Sequence, residues 1–320
     1  MDFFLLYYMK LKVYLLVCVL MIILMIGCRK SQQTTQKIDV VFTWVDTTDP
    51  TWMKKKNKYL KVPMKDHDLR YISFNEIEYA VKSVIKNMKW VNHIYIVTDN
   101  HIPEFLKEMK SRKISLIYHD TIIPNNILPT FNSLVIESYL HKIPTLTENF
   151  VYMNDDMFIW SEVAISDFLT KDNKIKHYGT SLCKLQINSN STAYQKSWKN
   201  ACDMLKTDVL RPWHHAVMCK KSVLSQFEHL FKKCNRSKFR EAENVPPIGF
   251  SCIQNVLLKK AIQQDQFPLS RYVGCDKLNS QNFAKIKKEL MEKKYKFVCL
   301  NNITNESWPF IKSILQEKYR

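Results

Sequence analysis

The strongest chemical feature of this 320-residue chain is Asn154-Asp155-Asp156, set directly after the apolar run Phe150-Val151-Tyr152-Met153. Two adjacent carboxylates on a strand-ending turn can hold one Mg2+ or Mn2+, ions that take oxygen ligands, and such an ion neutralises a diphosphate. An Asn-Asp-Asp triplet by itself is as readily an Asx turn, so the pair needs company. Asp46 closes the β-rich run Ile38–Val45, and Asp99 follows the strand-like segment beginning at His93. One carboxylate at a strand end is usually a helix cap or turn former; three such ends in one half-chain, one of them doubled, point to a site.

The elements that must position these residues can be read from periodicity. After the run from Ile38, the residues Ile77, Ala80, Val81, Val84 and Ile85 recur at helical spacing. Strand-like His93–Val97 follows, then a short helix opening at Pro103, then strand-like Ile114–Tyr118. A helix over Ser133–Leu140, capped by Asn132 or Ser133, precedes the strand that ends at the aspartate pair. Strands alternating with helices predict an α/β fold with a mostly parallel sheet of Rossmann-like or GT-A-like type. Sheets of that kind bind ligands at the carboxyl ends of their strands. Beyond residue 160 the pattern predicts helices at Ser222–Lys233, Cys252–Ile262 and Trp308–Lys318 and a short strand at Phe297–Leu300, an elaborated, more helical second half. No long linker separates the halves, so residues 38–320 read as one domain, with 38–160 carrying the strand-end carboxylates and 161–320 the basic excess.

Composition excludes several classes. The four glycines, Gly27, Gly179, Gly249 and Gly274, are too far apart for a dinucleotide fingerprint or a P-loop. The net charge of +18 is uneven. Residues 39–160 hold 15 basic and 15 acidic side chains, whereas residues 161–320 hold 28 and 14. Nucleic acid is a poor partner for that excess, because it lacks regularly interleaved aromatics. The apolar run at residues 13–27 predicts a single-pass N-terminal membrane anchor or a cleaved export signal within segment 1–37, with a lipidated Cys28 or a buried helix as alternatives, and each export case places residues 29–320 outside the cytosol. Seven of the nine cysteines lie beyond residue 182, so export would permit disulfides while leaving at least one of the seven outside any pairing among themselves. Homo-oligomerisation stays open.

Several blocks, in order, resemble the Stealth family of sugar-phosphate transferases, which includes bacterial capsular polysaccharide phosphotransferases and the α/β subunit of the lysosomal-enzyme GlcNAc-1-phosphotransferase. The first runs from Ile38 through Asp46 to Asp49-Pro50. The second contains Arg70, Asn75-Glu76, Trp90–Asp99, Leu128–Ser133, Ile136-Glu137-Ser138, His141–Pro144 and Phe150–Met157. His215-Ala216, Phe239-Arg240 and Phe297–Asn301 are similar to later family regions. The chain departs from the family at Thr47, Asn100 and Thr145, where glycine is usual, at Asn75, where aspartate is usual, and at Asn244 or Glu243, near a later acid.

The resemblance implies attack by a hydroxyl of an acceptor glycan or glycoprotein on the β-phosphorus of a UDP-sugar, transferring sugar-1-phosphate and releasing UMP. It implies Mg2+ or Mn2+ on Asp155 and Asp156, with His215, Arg240 and Asp156 catalytic. His215 would take the acceptor proton and Arg240 would pair with the diphosphate through its planar fork. His214 is an alternative to His215. Asp46, Asp49, Arg70, Asp99, Asn132, Ser133, Glu137 and His141 would line the substrate side, although Glu137 and His141, one turn apart, read equally as packing groups. Two alternatives stand beside this: a metal-dependent GT-A-type glycosyltransferase, which would release UDP, and an inactive glycan-binding relative.

Overall fold

The computed structural model describes residues 37–60, 71–109, 111–181, 188, 191, 195–197, 199–200, 203, 210–212, 216–231, 238–239, 262–263 and 270–320. The N-terminal apolar run lies outside them, as do Arg70, His215 and Arg240. Among the described residues no helix is long and apolar enough to cross a membrane.

Strand β1 (Ile38–Thr43) is the central strand of the main sheet. Its residues Ile38, Val40, Val41 and Phe42 are all fully buried, because the sheet is covered on both faces and neither set of alternating side chains meets water. Asp39 is the exception in type, also fully buried. Its carboxylate accepts from the Thr147 amide at 2.9 Å and from Asn92 Nδ2 at 2.7 Å, which satisfies it at the strand's entry.

Strands β2 (Ile94–Thr98), β3 (Ile114–Tyr118), β4 (Asn149–Asn154) and β8 (Val217–Lys220) complete a five-stranded sheet ordered β3-β2-β1-β4-β8. The first four are parallel and β8 runs antiparallel beside β4. The expected α/β class and mostly parallel sheet are therefore present. The chain steps outward from β1 through β2 to β3 and then returns to the other side of β1 as β4. That reversal between β1 and β4 is a topological switch point, where the crevice of an open α/β sheet lies.

Helix α1 (Pro50–Asn57) follows β1, and α2 (Glu76–Asn87) connects to β2. Ile77, Ala80, Val81 and Val84 of α2 are fully buried with Val40 and Phe42 on one face of the sheet, whereas Ile85 faces solvent. Short helices α3 (Phe105–Glu108) and α4 (His119–Ile122) flank β3. Helix α5 (Ser133–Ser138) ends two residues earlier than its apolar spacing suggests, passing into a 3-10 turn at Leu140–Lys142. Asn132 is its cap, with Oδ1 accepting from the Leu134 amide at 3.1 Å. Helix α5 packs with α6 (Lys221–Phe231) against Val41, Tyr95 and Tyr152 on the opposite face.

Directly after the aspartate pair the chain leaves the main sheet. Strand β5 (Met157–Ile159) pairs antiparallel with β11 (Phe297–Asn301), which pairs in parallel with β10 (Ser270–Gly274). A small sheet of β6 (His177–Ser181), β7 (Leu210–Pro212) and β9 (Ile262–Gln263) lies between in sequence. Helices α7 (Ser280–Glu292) and α8 (Trp308–Tyr319) finish the chain. The helix expected over Cys252–Ile262 falls outside the described residues except for Ile262, which is strand. Cys275 and Cys299 are buried free thiols, Cys219 is fully buried, and the other cysteines lie outside the described residues.

Candidate active site

Register places the chemistry. Thr43 pairs with Val97 on one side and Asn154 on the other, and Thr98 pairs with Tyr118. The ends of β1 to β4 are thus level, and the segments carrying Asp46, Asp99, His119 and Asp155-Asp156 all leave the sheet along one edge.

Asp155 and Asp156 form the turn between β4 and β5 and are half-buried. Burial, then repulsion from Glu76 and Asp156, holds the Asp155 carboxyl well above the usual carboxylate range. Glu76, the first residue of α2, is 5% exposed and pushed up to about 7, chiefly by loss of water and also by the Asp156 charge. Its Oε2 accepts from the Phe74 amide at 2.6 Å, an N-terminal helix contact that holds the side chain in place. Asp156 is held from the C-terminal half: its Oδ2 accepts from Asn301 Nδ2 at 2.7 Å and from Cys299 Sγ at 3.4 Å, and its carbonyl accepts from the Leu300 amide at 2.9 Å. The Cys299 thiol is raised well above its ordinary range by burial and then by the Asp156 charge, so it donates as a neutral S–H.

The other end of the same strand is tied to α5. Tyr152 Oη donates to Asn154 Oδ1 at 2.6 Å and lies 3.0 Å from Thr43 Oγ1. Burial and then the adjoining Glu137 charge hold this phenol well above its usual range. Glu137, 8% exposed, thus lies beside Tyr152, whose hydroxyl bonds Asn154. Asn132 is completely buried, and its Nδ2 makes no hydrogen bond among the described residues. Ser133 is the half-buried first residue of α5. His141 is directed elsewhere: its Nε2 lies 3.3 Å from Glu228 Oε2 of α6, a contact shared with Lys142 Nζ at 2.6 Å. Burial lowers its pKa.

A second group gathers at the ends of β1, β2 and β3. Asp46 Oδ1 accepts from the amide and hydroxyl of Thr48 at 2.8 and 2.6 Å. Asp49 caps α1, accepting from the Thr51 amide at 2.8 Å. That bond, and then the His101 contact, keeps its carboxyl below the usual range. Asp99 is ion-paired with Lys55 of α1. His119, 3% exposed, is pushed down to about 4 by burial. His101 accepts the Asp46 amide on Nδ1 at 2.8 Å, with Nε2 3.1 Å from Asp49 Oδ2.

Arg70, His215 and Arg240 lie outside the described residues, but their neighbours do not. Val217, two residues after His215, pairs with Tyr152, two residues before Asn154. Phe239, immediately before Arg240, stacks on Phe131 at 5.3 Å, and the Phe131 amide donates to the Lys238 carbonyl at 2.9 Å, one residue before Asn132. Glu76 and Tyr152 stand within the sequence motifs with no role marked for either, and no sequence pattern marks His101, His119, Cys299 or Asn301 as site groups. The signal for Glu76 was present, a carboxylate at a helix start in an otherwise apolar face; His101 gave none, sitting in what reads as a loop before Pro103.

The donor set at the β4 end is oxygen, the chemistry that Mg2+ and Mn2+ take. Among the described residues no group of three or more His, Cys, Asp or Glu side chains is spaced to hold an ion. Two carboxylates completed by ligand oxygens are the pattern that fits, which is how Mg2+ is usually held at phosphate sites.

An α/β sheet with carboxylates grouped at its switch point defines a class of ligand-binding α/β proteins, and the sequence relatives narrow it. Residues 36–61 match Stealth protein CR1, conserved region 1, and residues 70–177 match Stealth protein CR2, conserved region 2, so the chain carries the first two Stealth regions in order. A capsular polysaccharide phosphotransferase of Actinobacillus pleuropneumoniae is 50% identical over 143 residues, 43% of this chain and 39% of that protein. One from Haemophilus influenzae is 38% identical over 214 residues, 61% and 57% of the two chains. An exopolysaccharide phosphotransferase of Lactiplantibacillus plantarum is 28% identical over 301 residues, 83% and 87%. The chain thus spans about two fifths of the length of the relatives it matches at highest identity. Among solved structures, the galactosyltransferase LgtC in complex with donor and acceptor sugar analogs covers 88% of this chain and 97% of its own, at 7% identity and a TM-score of 0.43. The α/β class rests on the strand order rather than on that likeness.

Proposed function

We propose that this chain transfers a sugar-1-phosphate from a UDP-sugar to a hydroxyl of an acceptor glycan. The observation that carries the reading is the grouping of Asp155, Asp156 and Glu76 at the β1/β4 switch point, inside the stretch matching the second Stealth region. The named activities of the capsular and exopolysaccharide relatives support it. In the reaction, the acceptor oxygen forms a bond to the β-phosphorus, the bond from that phosphorus to the bridging oxygen of UMP breaks, and the hydroxyl proton passes to a base.

Asp155 and Asp156 would hold Mg2+ or Mn2+, which when bound supplies positive charge to the diphosphate. This chain's own residues do the positioning. Asn301 and Cys299 fix the Asp156 carboxylate, and Tyr152 fixes Asn154. Glu137 sets a second negative charge near the end of β4, and the Asp46–Asp49 turn forms the donor side with Asp99. His215 takes the acceptor proton and Arg240 pairs with the diphosphate; the described neighbours of both reach the edges of this site. Residues 13–27 anchor the protein to the membrane in this reading.

The test is product analysis of the purified full chain with Mn2+ and a panel of UDP-sugars and capsular oligosaccharides. UMP release together with a phosphodiester signal in the glycan by 31P NMR supports the reading. UDP release with phosphorus-free glycan would make the chain a glycosyltransferase and overturn it.

A further inference from the structure

His101 is absorbed by none of the roles above, yet both of its ring nitrogens are engaged and two tryptophans pack against its ring. Nδ1 accepts the Asp46 amide at 2.8 Å, so the ring proton resides on Nε2 and donates to Asp49 Oδ2 at 3.1 Å. The ring lies edge-on to Trp44, centroids 6.1 Å apart, and to Trp52 at 6.5 Å. It is 8% exposed. Asn100, at φ 62, supplies the left-handed bend that separates it from Asp99.

These contacts define a brace. Asp46 and Asp49 are the two ends of the turn that joins β1 to α1, and one imidazole bonds the backbone of the first and the side chain of the second. Asp46 also draws in Thr48, and Asp49 caps α1, so the turn is closed upon itself from inside and clamped from outside. The partners lie on one side of the switch point and His101 follows β2, two strands from β4. A group there does not touch the β4-end carboxylates, but it holds a turn that leaves the sheet along the same edge as they do.

We propose that His101 is a positioning residue for the nucleotide donor: it holds the Asp46–Asp49 turn in its binding conformation and thereby sets donor affinity without taking part in transfer. The inference rests on the reading of this turn as the donor side. An imidazole is suited to the task because one small ring offers an acceptor and a donor at opposite edges while filling an aromatic pocket. Of the other side chains, glutamine alone carries one acceptor and one donor on a stem long enough to span both partners; phenylalanine fills the pocket and offers neither.

The experiment uses the full chain and three variants. Amide hydrogen exchange reads the Asp46 N–H, calorimetry reads UDP binding in Mn2+, and steady-state kinetics reads KM for the UDP-sugar against kcat. In His101→Phe the Asp46 amide should lose its protection, UDP affinity should fall and donor KM rise by about ten-fold, the scale of one or two lost hydrogen bonds, with kcat within about two-fold. His101→Gln should restore protection and bring affinity to within about three-fold of wild type. His101→Asn, too short to span both partners, should behave as His101→Phe and replaces it if the phenylalanine variant does not melt cooperatively. An Asp46 amide as protected in the variants as in wild type would overturn the brace. Loss of protection with unchanged UDP affinity would overturn the link to the donor, as would a fall in kcat at constant KM. A wild type that binds UDP yet transfers no sugar phosphate would sink the proposed reaction and leave the exchange and binding arms to decide His101.

Discussion

Glu76 ionises only near pH 7 in the folded protein, against about 4.5 for an ordinary glutamate, because its carboxyl is buried and faces Asp156. A raised carboxyl pKa means that the native state binds the extra proton, so stability is present below the ordinary value and is lost as pH rises from about 4.5 to about 7. The loss is on the order of 3 kcal/mol for a shift of this size. In chelator, Glu76→Gln should therefore raise the melting temperature by several degrees at pH 8 and leave it nearly unchanged at pH 5, as read by paired thermal melts. His119 has the opposite sign. Burial depresses its pKa to about 4, so it destabilises the fold as pH falls from about 6.5 toward 4. Its ring should remain neutral at pH 5.5, which the pH dependence of its NMR shifts checks directly; a midpoint near 6.5 would contradict the burial. At this same scale the sequence was partly legible. Asp155, Asp156 and Asp46 could be placed because strand ends are visible in a sequence. Partners joined only by folding, such as Asp156 with Asn301 or Asp46 with His101, leave no local pattern. The shortage of glycine has a local answer at one point. Asn100, standing where the family usually has glycine, adopts φ 62, which asparagine tolerates; Thr47 and Thr145 are not among the positive-φ residues and need no such freedom.

Elements with two apolar faces or one clear helical stripe announced themselves, and those whose role is set by a distant partner did not. The parallel strands β1 to β4 read correctly to within two residues because sheets covered on both faces give near-continuous apolar runs. Strand β5 is three residues long and exists because β11 pairs with it, 138 residues later in the register that sets Ile159 opposite Phe297. Helix α7 has only Leu290 fully buried, so its apolar stripe is thin and its start at the Asn279 cap was not marked by a hydrophobic run. The expected helix stripe on α2 failed at Ile85, 44% exposed, because the stripe turns off the sheet at its last turn. β11 is the element on which the site most depends without contributing a carboxylate. Asn301→Ala removes the 2.7 Å donor to Asp156 and should weaken Mn2+ binding by roughly ten-fold while costing about 1 kcal/mol of stability. Mn2+ titration followed by electron paramagnetic resonance, with thermal melts alongside, separates the two effects, and unchanged Mn2+ affinity would show that β11 does not orient the ligand.

Every carboxylate of the candidate site lies before residue 157, yet the walls of its core come from the far end of the chain. Phe158, Ile159 and Trp160, directly after the aspartate pair, are buried to within 1% and pack with Phe297, Val298, Leu300, Ile311, Ile314 and Leu315 in a single apolar cluster. Tyr319, next to the last residue, donates to the Ile159 carbonyl at 3.0 Å and sets its ring edge-on to Trp160. Trp160 in turn donates to the Leu290 carbonyl at 2.7 Å. Residues 38–160 therefore expose these side chains when the last segment is missing, and at about 1.5–3 kcal/mol for each large apolar side chain the loss of β11 and α8 is comparable with the roughly 5–15 kcal/mol by which domains are stable. Truncation after residue 296 should abolish the cooperative melt and the Mn2+ binding together, although all the proposed ligands remain in the chain. Tyr319→Phe isolates one contact from that collapse. It keeps the ring, loses the bond to Ile159, and should cost about 1 kcal/mol with Mn2+ affinity unchanged, because the hydroxyl supports β5 rather than the aspartates. A truncated chain that still melted cooperatively and bound Mn2+ would mean that the first half closes its own core, against the burial of Phe158 and Trp160 by the last helix.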